Sequence, residues 1–274
     1  MIDSQFLPDI RSLYMPVQPT VRQSADDVVY QEWAPHERLL PFVYCYWELK
    51  TVQPLQDSFV YRVVADGCID IYFEINNPAD AYVMGFCRQF TEFPLGNVFH
   101  YVGIRFLPAQ FPQLFGVDAA GLSNRYLPLA DVLPQMAGLM AALPPGMAGM
   151  ETLRHRLDAY LLRHLAHFVP DFDNRLYGAI GLILQNCGVL NVEKDLDTGI
   201  SARQLRRLFE FYVGDTPKTF ARVVRFQHIL RARPSSQSLH KNPLFFDTGY
   251  YDQAHFIKEF RNFYGVTPSR AFGR

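Results

Sequence analysis

Between residues 28 and 120, apolar and polar positions alternate in short runs with a period of two. Ile69, Ile71, Phe73 and Ile75 alternate with Asp70, Tyr72 and Glu74, and Val102, Ile104 and Phe106 recur likewise in "YVGIRFLP" (101–108). That period sends one set of side chains to a core and the other to a wetter face, so the region predicts β-strands. Apolar runs on both sides of Asp66-Gly67 in "FVYRVVADGCIDIYFEI" (59–75) predict a hairpin, with Asp66 as the first central residue of its turn. Many short strands without intervening helices predict a barrel or sandwich.

The period changes near residue 129. The stretch 128–150 reads as a short helix, a Pro-Pro-Gly turn and a new helix start, with Met136, Met140, Met147 and Met150 as packing residues. Leu153, Leu157, Tyr160, Leu161, His164, Leu165 and Phe168 then share one helical face. That stripe can pack on the β-rich part or form a dimer seam. "PDFDN" (170–174) makes a boundary: Pro170 stops one helix and Asp173 can cap the next. Beyond it the period is helical throughout, over 175–188, 202–214, 217–233, 242–249 and 252–265. The predicted architecture is an N-terminal β-rich, barrel- or sandwich-like domain (1–128), trailing or linking helices (129–170) and an all-α C-terminal domain (174–274).

The helical part contains a repeat. Phe209, Gly214, Thr216 and Pro217 recur 51 residues later as Phe260, Gly265, Thr267 and Pro268. Each copy is a helix preceded by an Asp-Thr-Gly turn, which predicts two helix-turn-helix units joined by the long helix 217–233. In the first copy Leu205, Leu208 and Phe209 face inward, leaving Arg203, Gln204, Arg206 and Arg207 outward. In the second, Phe256 and Phe260 face inward, with Gln253, Ala254, Ile257 and Lys258 outward. Arg presents two donors to guanine O6 and N7, and Gln matches adenine.

Charge supports that reading. The chain is nearly neutral, but residues from Asn174 onward carry 15 Lys and Arg against 8 Asp and Glu, while the first 173 carry 11 against 19. A basic domain behind an acidic one predicts that only one end meets a polyanion. Four scattered cysteines (Cys45, Cys68, Cys87, Cys187) without a C-x-x-C pair argue against a zinc site or disulfide framework and fit a reducing cytoplasm. No apolar run is long enough to span a membrane, and "MIDSQFLPDIRSLY" lacks a signal-peptide pattern. Nothing matches a Ser-His-Asp triad, a P-loop or a dinucleotide fingerprint, so neither catalytic residues, a metal nor a cofactor is expected.

"GYYDQAHFIKEFRNFYGVTP" (249–268) closely resembles the signature of the AraC-type transcriptional regulators, and the last 100 residues resemble their DNA-binding domain. The resemblance implies a seven-helix bipartite domain binding double-stranded DNA, with base contacts at Arg203, Arg206 and Arg207 in the first unit and at Gln253, Ala254 and Lys258 in the second. "YCYWEL", "VVADGCIDIYF" and "VGIRFLPAQFPQLFG" are similar to the β-rich sensor regions fused to such domains. Asp195 and Phe245 stand where the family has a small residue before each turn, and Ile229 replaces a small residue in the joining helix. A charge at Asp195 facing a core would cost several kcal/mol unless exposed or paired.

These observations favour a non-enzymatic, sequence-specific regulator that responds to a small molecule or to homodimer formation. In the N-terminal domain Arg62, Asp70 and Arg105 are candidates to orient an anionic or polar effector. Two alternatives are a DNA-locating repair or modification enzyme, which needs an activated cysteine, and a protein-binding module with a degenerate DNA-binding domain.

Overall fold

In a computed structural model of the chain, the residues described are 9–19, 27–146, 149–232, 249–250 and 252–272. A one-turn helix α1 (Ile10–Leu13) precedes the strands β1 (Val28–Trp33), β2 (Val43–Thr51), β3 (Phe59–Val63), β4 (Ile69–Glu74), β5 (Asn77–Met84), β6 (Thr91–Leu95) and β7 (His100–Phe106). Helix α2 (Gln110–Phe115) and strand β8 (Tyr126–Pro128) follow, then α3 (Leu129–Val132), α4 (Pro134–Ala141) and α5 (Met150–Ala166). The C-terminal part contains α6 (Asn174–Gln185), α7 (Val192–Asp195), α8 (Ala202–Tyr212), α9 (Pro217–Ala232), α10 (Gln253–Tyr264) and α11 (Pro268–Phe272). The helix expected over 242–249 and the Phe245 position lie outside the described residues, apart from Gly249.

Six strands form one antiparallel sheet in the order β1-β2-β7-β4-β5-β8, and β3 and β6 pair separately. The predicted hairpin at Asp66-Gly67 is therefore wrong: β3 pairs with β6 and β4 with β5 and β7. The turn dipeptide marks a reversal, but the chain uses it to cross from one sheet to the other. Asp66 is buried and is not an exposed turn residue.

Alternation sorts the two faces of the large sheet. Ile69, Ile71, Phe73, Val102, Ile104 and Phe106 pack with Met136, Met140 and the α5 leucines in one core. Leu153, Leu157, Leu161 and Leu165 are all buried there, each contributing about 2 kcal/mol. The stripe is thus committed to the chain's own sheet, which leaves that face of α5 without the apolar surface a dimer seam needs. The opposite face of the sheet, with Trp47, Asp70, Tyr72, Tyr101 and Arg105, looks toward the β3–β6 ribbon across a cavity.

The C-terminal helices form in the places their caps dictate. Asp173 accepts from Arg175 N and Leu176 N at the start of α6. Ser201 and Gln204 form a reciprocal capping box on α8. Val28, Trp47, Leu49, Tyr61 and Phe99 form a small second core, and a third joins both parts of the chain: Tyr14, Ala65, Cys68 and Phe86 pack with Leu205, Phe209, Phe220, Phe226, Phe260 and Phe263.

Candidate DNA interface and N-terminal cavity

On α8, Leu205 and Phe209 are buried and Leu208 half-buried, so Arg203, Gln204, Arg206 and Arg207 stand exposed on the opposite side. Two of these are already engaged. Arg206 Nε lies 2.8 Å from Glu210 Oε1, one turn on. Gln204 Oε1 accepts from Ser201 N at 3.1 Å and from Ser201 Oγ at 2.9 Å. Arg203 and Arg207 carry no such intrahelical pair.

Asp195 is exposed, and its carboxylate accepts from Asn191 N at 2.7 Å. Helix α7 is a single turn, and Leu196, just past its end, takes the buried place instead. The charge therefore costs little, because the register of the first unit is moved by one residue.

On α10, Phe256 and Phe260 are buried while Gln253, Ala254 and Lys258 are exposed; Ile257, expected outward, is half-buried against the core. Sequence reasoning missed Glu259. It is buried on α10, with Arg222 Nε at 2.5 Å and Arg225 Nη2 at 2.7 Å, both from α9. Burial alone would raise its carboxyl; the Arg225 and Arg222 guanidinium groups outweigh it and hold it below the usual range. The second unit is thus fastened to the strut helix by ions, the first by packing and caps.

Both units also touch the N-terminal domain through the segment around Arg88. The Arg88 guanidinium pairs with buried Asp215, just past α8, and Arg88 O accepts from Asn262 Nδ2 of α10 at 2.8 Å. The repeated glycines are part of these contacts. Gly214 (φ 99°) and Gly265 (φ 96°) adopt left-handed backbone past α8 and α10, a conformation glycine takes without strain. A Cβ at Gly214 would come within 3.0 Å of Phe86 Cβ, and one at Gly265 within 2.9 Å of Arg62 Nε. The motif residues therefore serve closure onto the N-terminal domain as well as helix termination.

A cleft beside α9 and α10 measures about 790 Å³, and the cavity between the large sheet and the β3–β6 ribbon about 330 Å³. The smaller space is the aromatic one, at the lower end of the ~300–1,000 Å³ range of small-molecule sites. Trp47 lies across Gly103, where a Cβ would sit 2.2 Å from the indole. Its Nε1 donates to Asp70 Oδ2 at 2.9 Å, and Arg105 donates to both Asp70 oxygens at 3.1 and 2.9 Å. Burial pushes the Asp70 carboxyl up to about 6; Arg105 opposes the rise and neighbouring Asp66 adds to it.

The structure thus brings Asp70 and Arg105 together at the cavity and separates Arg62 from them. On β3 the neighbours Tyr61 and Val63 line the cavity, while Arg62 pairs with Glu92 and lies over Phe90. Asp66, dismissed from sequence as a turn residue, connects the pair to the rest of the molecule. Its Oδ2 lies 3.5 Å from Arg105 Nε and accepts from Gln18 Nε2 at 2.8 Å, and its carbonyl accepts from Tyr14 Oη.

Among the described residues no group of three or more His, Cys, Asp or Glu could hold a metal ion, and no helix is long and apolar enough to cross a membrane.

Residues 197–274 match a helix-turn-helix domain family, and residues 31–128 match a domain of unknown function (DUF6597). No curated protein matches the chain. Among solved structures, an apo point variant of ToxT from Vibrio cholerae strain SCE256 is 11% identical, with a TM-score of 0.43 over 82% of this chain and 97% of that one. Unsaturated fatty acid-bound ToxT from the same strain is 9% identical, with a TM-score of 0.38 over 80% and 96% of the two chains. ToxT from Vibrio cholerae O395 bound to (E)-4-(8-methylnaphthalen-1-yl)but-3-enoic acid is 10% identical, with a TM-score of 0.40 over 90% and 97%. These likenesses are distant. The helix-turn-helix match lies on the repeat that resembles the AraC-type signature, so the chain carries a helix-turn-helix domain of that type at its C-terminal end, with a domain of unknown function in front.

Proposed function

We propose that the chain reads an asymmetric DNA site through α8 and α10 and that a small molecule in the N-terminal cavity sets how well it does so. Affinity comes mainly from phosphate neutralisation by the basic C-terminal part. Identity comes from Arg203, Arg206 and Arg207 on α8 and from Gln253, Ala254 and Lys258 on α10. Gln204 reads a base only by leaving its cap on Ser201. Ala254 offers an apolar contact, suited to a thymine methyl. The domain limits we assign are 1–128, 129–170 and 174–274, with the third core as the contact between sensor and reader.

One observation carries the sensing half of this reading: the cavity floor is connected to α9 by buried polar contacts. Arg105 meets Asp66, and Asp66 holds Gln18. Gln227 of α9 donates to Ala65 O at 2.7 Å, next to Asp66, and accepts from Val17 N at 2.7 Å, next to Gln18. A ligand that moves Arg105 or Asp66 therefore acts on the helix that spaces the two reading units. The activated cysteine that a repair enzyme needs finds little support at Cys45, Cys68 or Cys87, because burial pushes the first two thiols well up and Cys87 to about 12, away from the reactive thiolate. All four cysteines are free, in keeping with a cytoplasmic location.

The test is a gel shift on DNA fragments that the protein itself selects. Arg207→Ala and Lys258→Ala should each weaken specific binding by about 1–3 kcal/mol while leaving non-specific binding nearly unchanged. Unchanged specific affinity in both variants would remove α8 and α10 as reading helices.

A further inference from the structure

We infer that the cavity beneath the β3–β6 ribbon binds a small cation, an amine or quaternary ammonium carrying an acceptor oxygen, and not the anion that its arginine first suggests. The inference rests on the sensing reading above and deepens it.

The walls are the first observation. Tyr72, Tyr82, Tyr126 and Phe93 form a closed collar, with successive ring centroids 5.8, 6.1, 5.6 and 6.2 Å apart. Tyr101 joins it, 6.5 Å from Tyr72. These rings line the space, and the face of an aromatic ring attracts a cation through its quadrupole.

Charge is the second. The lining contains three carboxylates, Asp70, Glu74 and Asp80, and one cation, Arg105. Arg105 is already shared between Asp70 and Asp66, so the buried cluster carries surplus negative charge before any ligand enters. An incoming anion would add another like charge in a poorly solvated space, whereas a cation neutralises one.

The third is a vacancy in hydrogen bonding. Arg105 is 2% exposed, and its Nη1 is buried with no hydrogen-bond partner among the described residues. A buried guanidinium N–H left unpaired is costly, and a carbonyl or ether oxygen on the ligand would satisfy it without bringing a charge.

Three probes separate the alternatives. Acetylcholine carries both groups, 3,3-dimethylbutyl acetate replaces its nitrogen by carbon at nearly the same shape, and phenylacetate is an aromatic anion. Binding to the full chain is followed by calorimetry and by Trp47 fluorescence in a Trp33→Phe background, without DNA. Acetylcholine should bind saturably and about tenfold or more tighter than its neutral isostere. Asp80→Asn and Glu74→Gln should each reduce that preference severalfold; Asp80 is exposed at the rim, so its variant keeps the test valid should Glu74→Gln fail to fold. Equal affinity for the isostere, preference for phenylacetate, or no saturable acetylcholine binding would overturn the inference. The selected DNA fragment is then titrated with and without saturating acetylcholine. Charge-selective binding that leaves DNA affinity unchanged would uphold the cavity assignment and remove the sensing reading instead.

Discussion

The two helix-turn-helix units share a motif but differ in what holds them. In the second, Glu259 sits buried on α10 and is clamped by Arg222 and Arg225 of α9. In the first, α8 itself holds no buried charge: α7 is one turn, Asp195 is exposed, and α8 relies on its capping box, on Leu205 and Phe209, and on buried Asp215 just past its end, which Arg88 holds. Both units touch the N-terminal part, but the buried carboxylate of the second is paired from within the C-terminal helices, while that of the first is paired by a residue of the N-terminal part. The difference teaches that the same repeat can be clamped to α9 by ions in one copy and tied to the N-terminal part by an ion pair in the other.

Three experiments separate the units, beginning with the largest effect. Glu259→Gln leaves two guanidinium groups facing a buried neutral side chain and should destabilise the C-terminal part by about 3 kcal/mol in urea unfolding. The charge-removing counterpart in the first unit, Asp195→Ala, should stay within about 0.5 kcal/mol. A large loss in both would erase the contrast. Next, Arg88→Ala strips buried Asp215 of its ion partner and should cost about 1–2 kcal/mol, discounted because Arg88 is itself well exposed. Its amide-exchange signature should centre on α8 and the start of α9, with α10 less affected.

The smallest effect is a pH response. The Glu259 carboxyl is held lower in the folded chain than in the unfolded one. Its stabilisation is therefore fully present above the ordinary glutamate range and is lost as pH falls through the lower folded value. Amide protection in α10 should fall more than in α8 on going from neutral to acid pH, and Glu259→Gln should abolish the difference. Equal acid sensitivity in the two helices would contradict the clamp.

Most of the C-terminal fold was legible because its signals are local. Phe209 and Phe260 recur at one spacing, Ser201 and Asp173 cap where a polar residue precedes an apolar period, and the outward residues follow from the inward ones. What escaped the sequence depends on partners far along the chain. Glu259 reads as a solvated charge until α9 brings Arg222 and Arg225 to it from 37 and 34 residues upstream. Asp66-Gly67 specifies a reversal without saying which strands it joins, so the hairpin expectation failed where the chain changes sheets. Of the three candidate effector residues, the strand period itself explains the outcome. Tyr61 and Val63 turn to the cavity, and Arg62 between them must turn away.

The central claim is that two units read DNA together, and selection of bound fragments from a random genomic pool at physiological salt tests it most directly. The account predicts an asymmetric site of two short blocks separated by about one helical turn. It also predicts that Arg207→Ala relaxes one block and Lys258→Ala the other. A single enriched block, or fragments with no shared sequence, would contradict it.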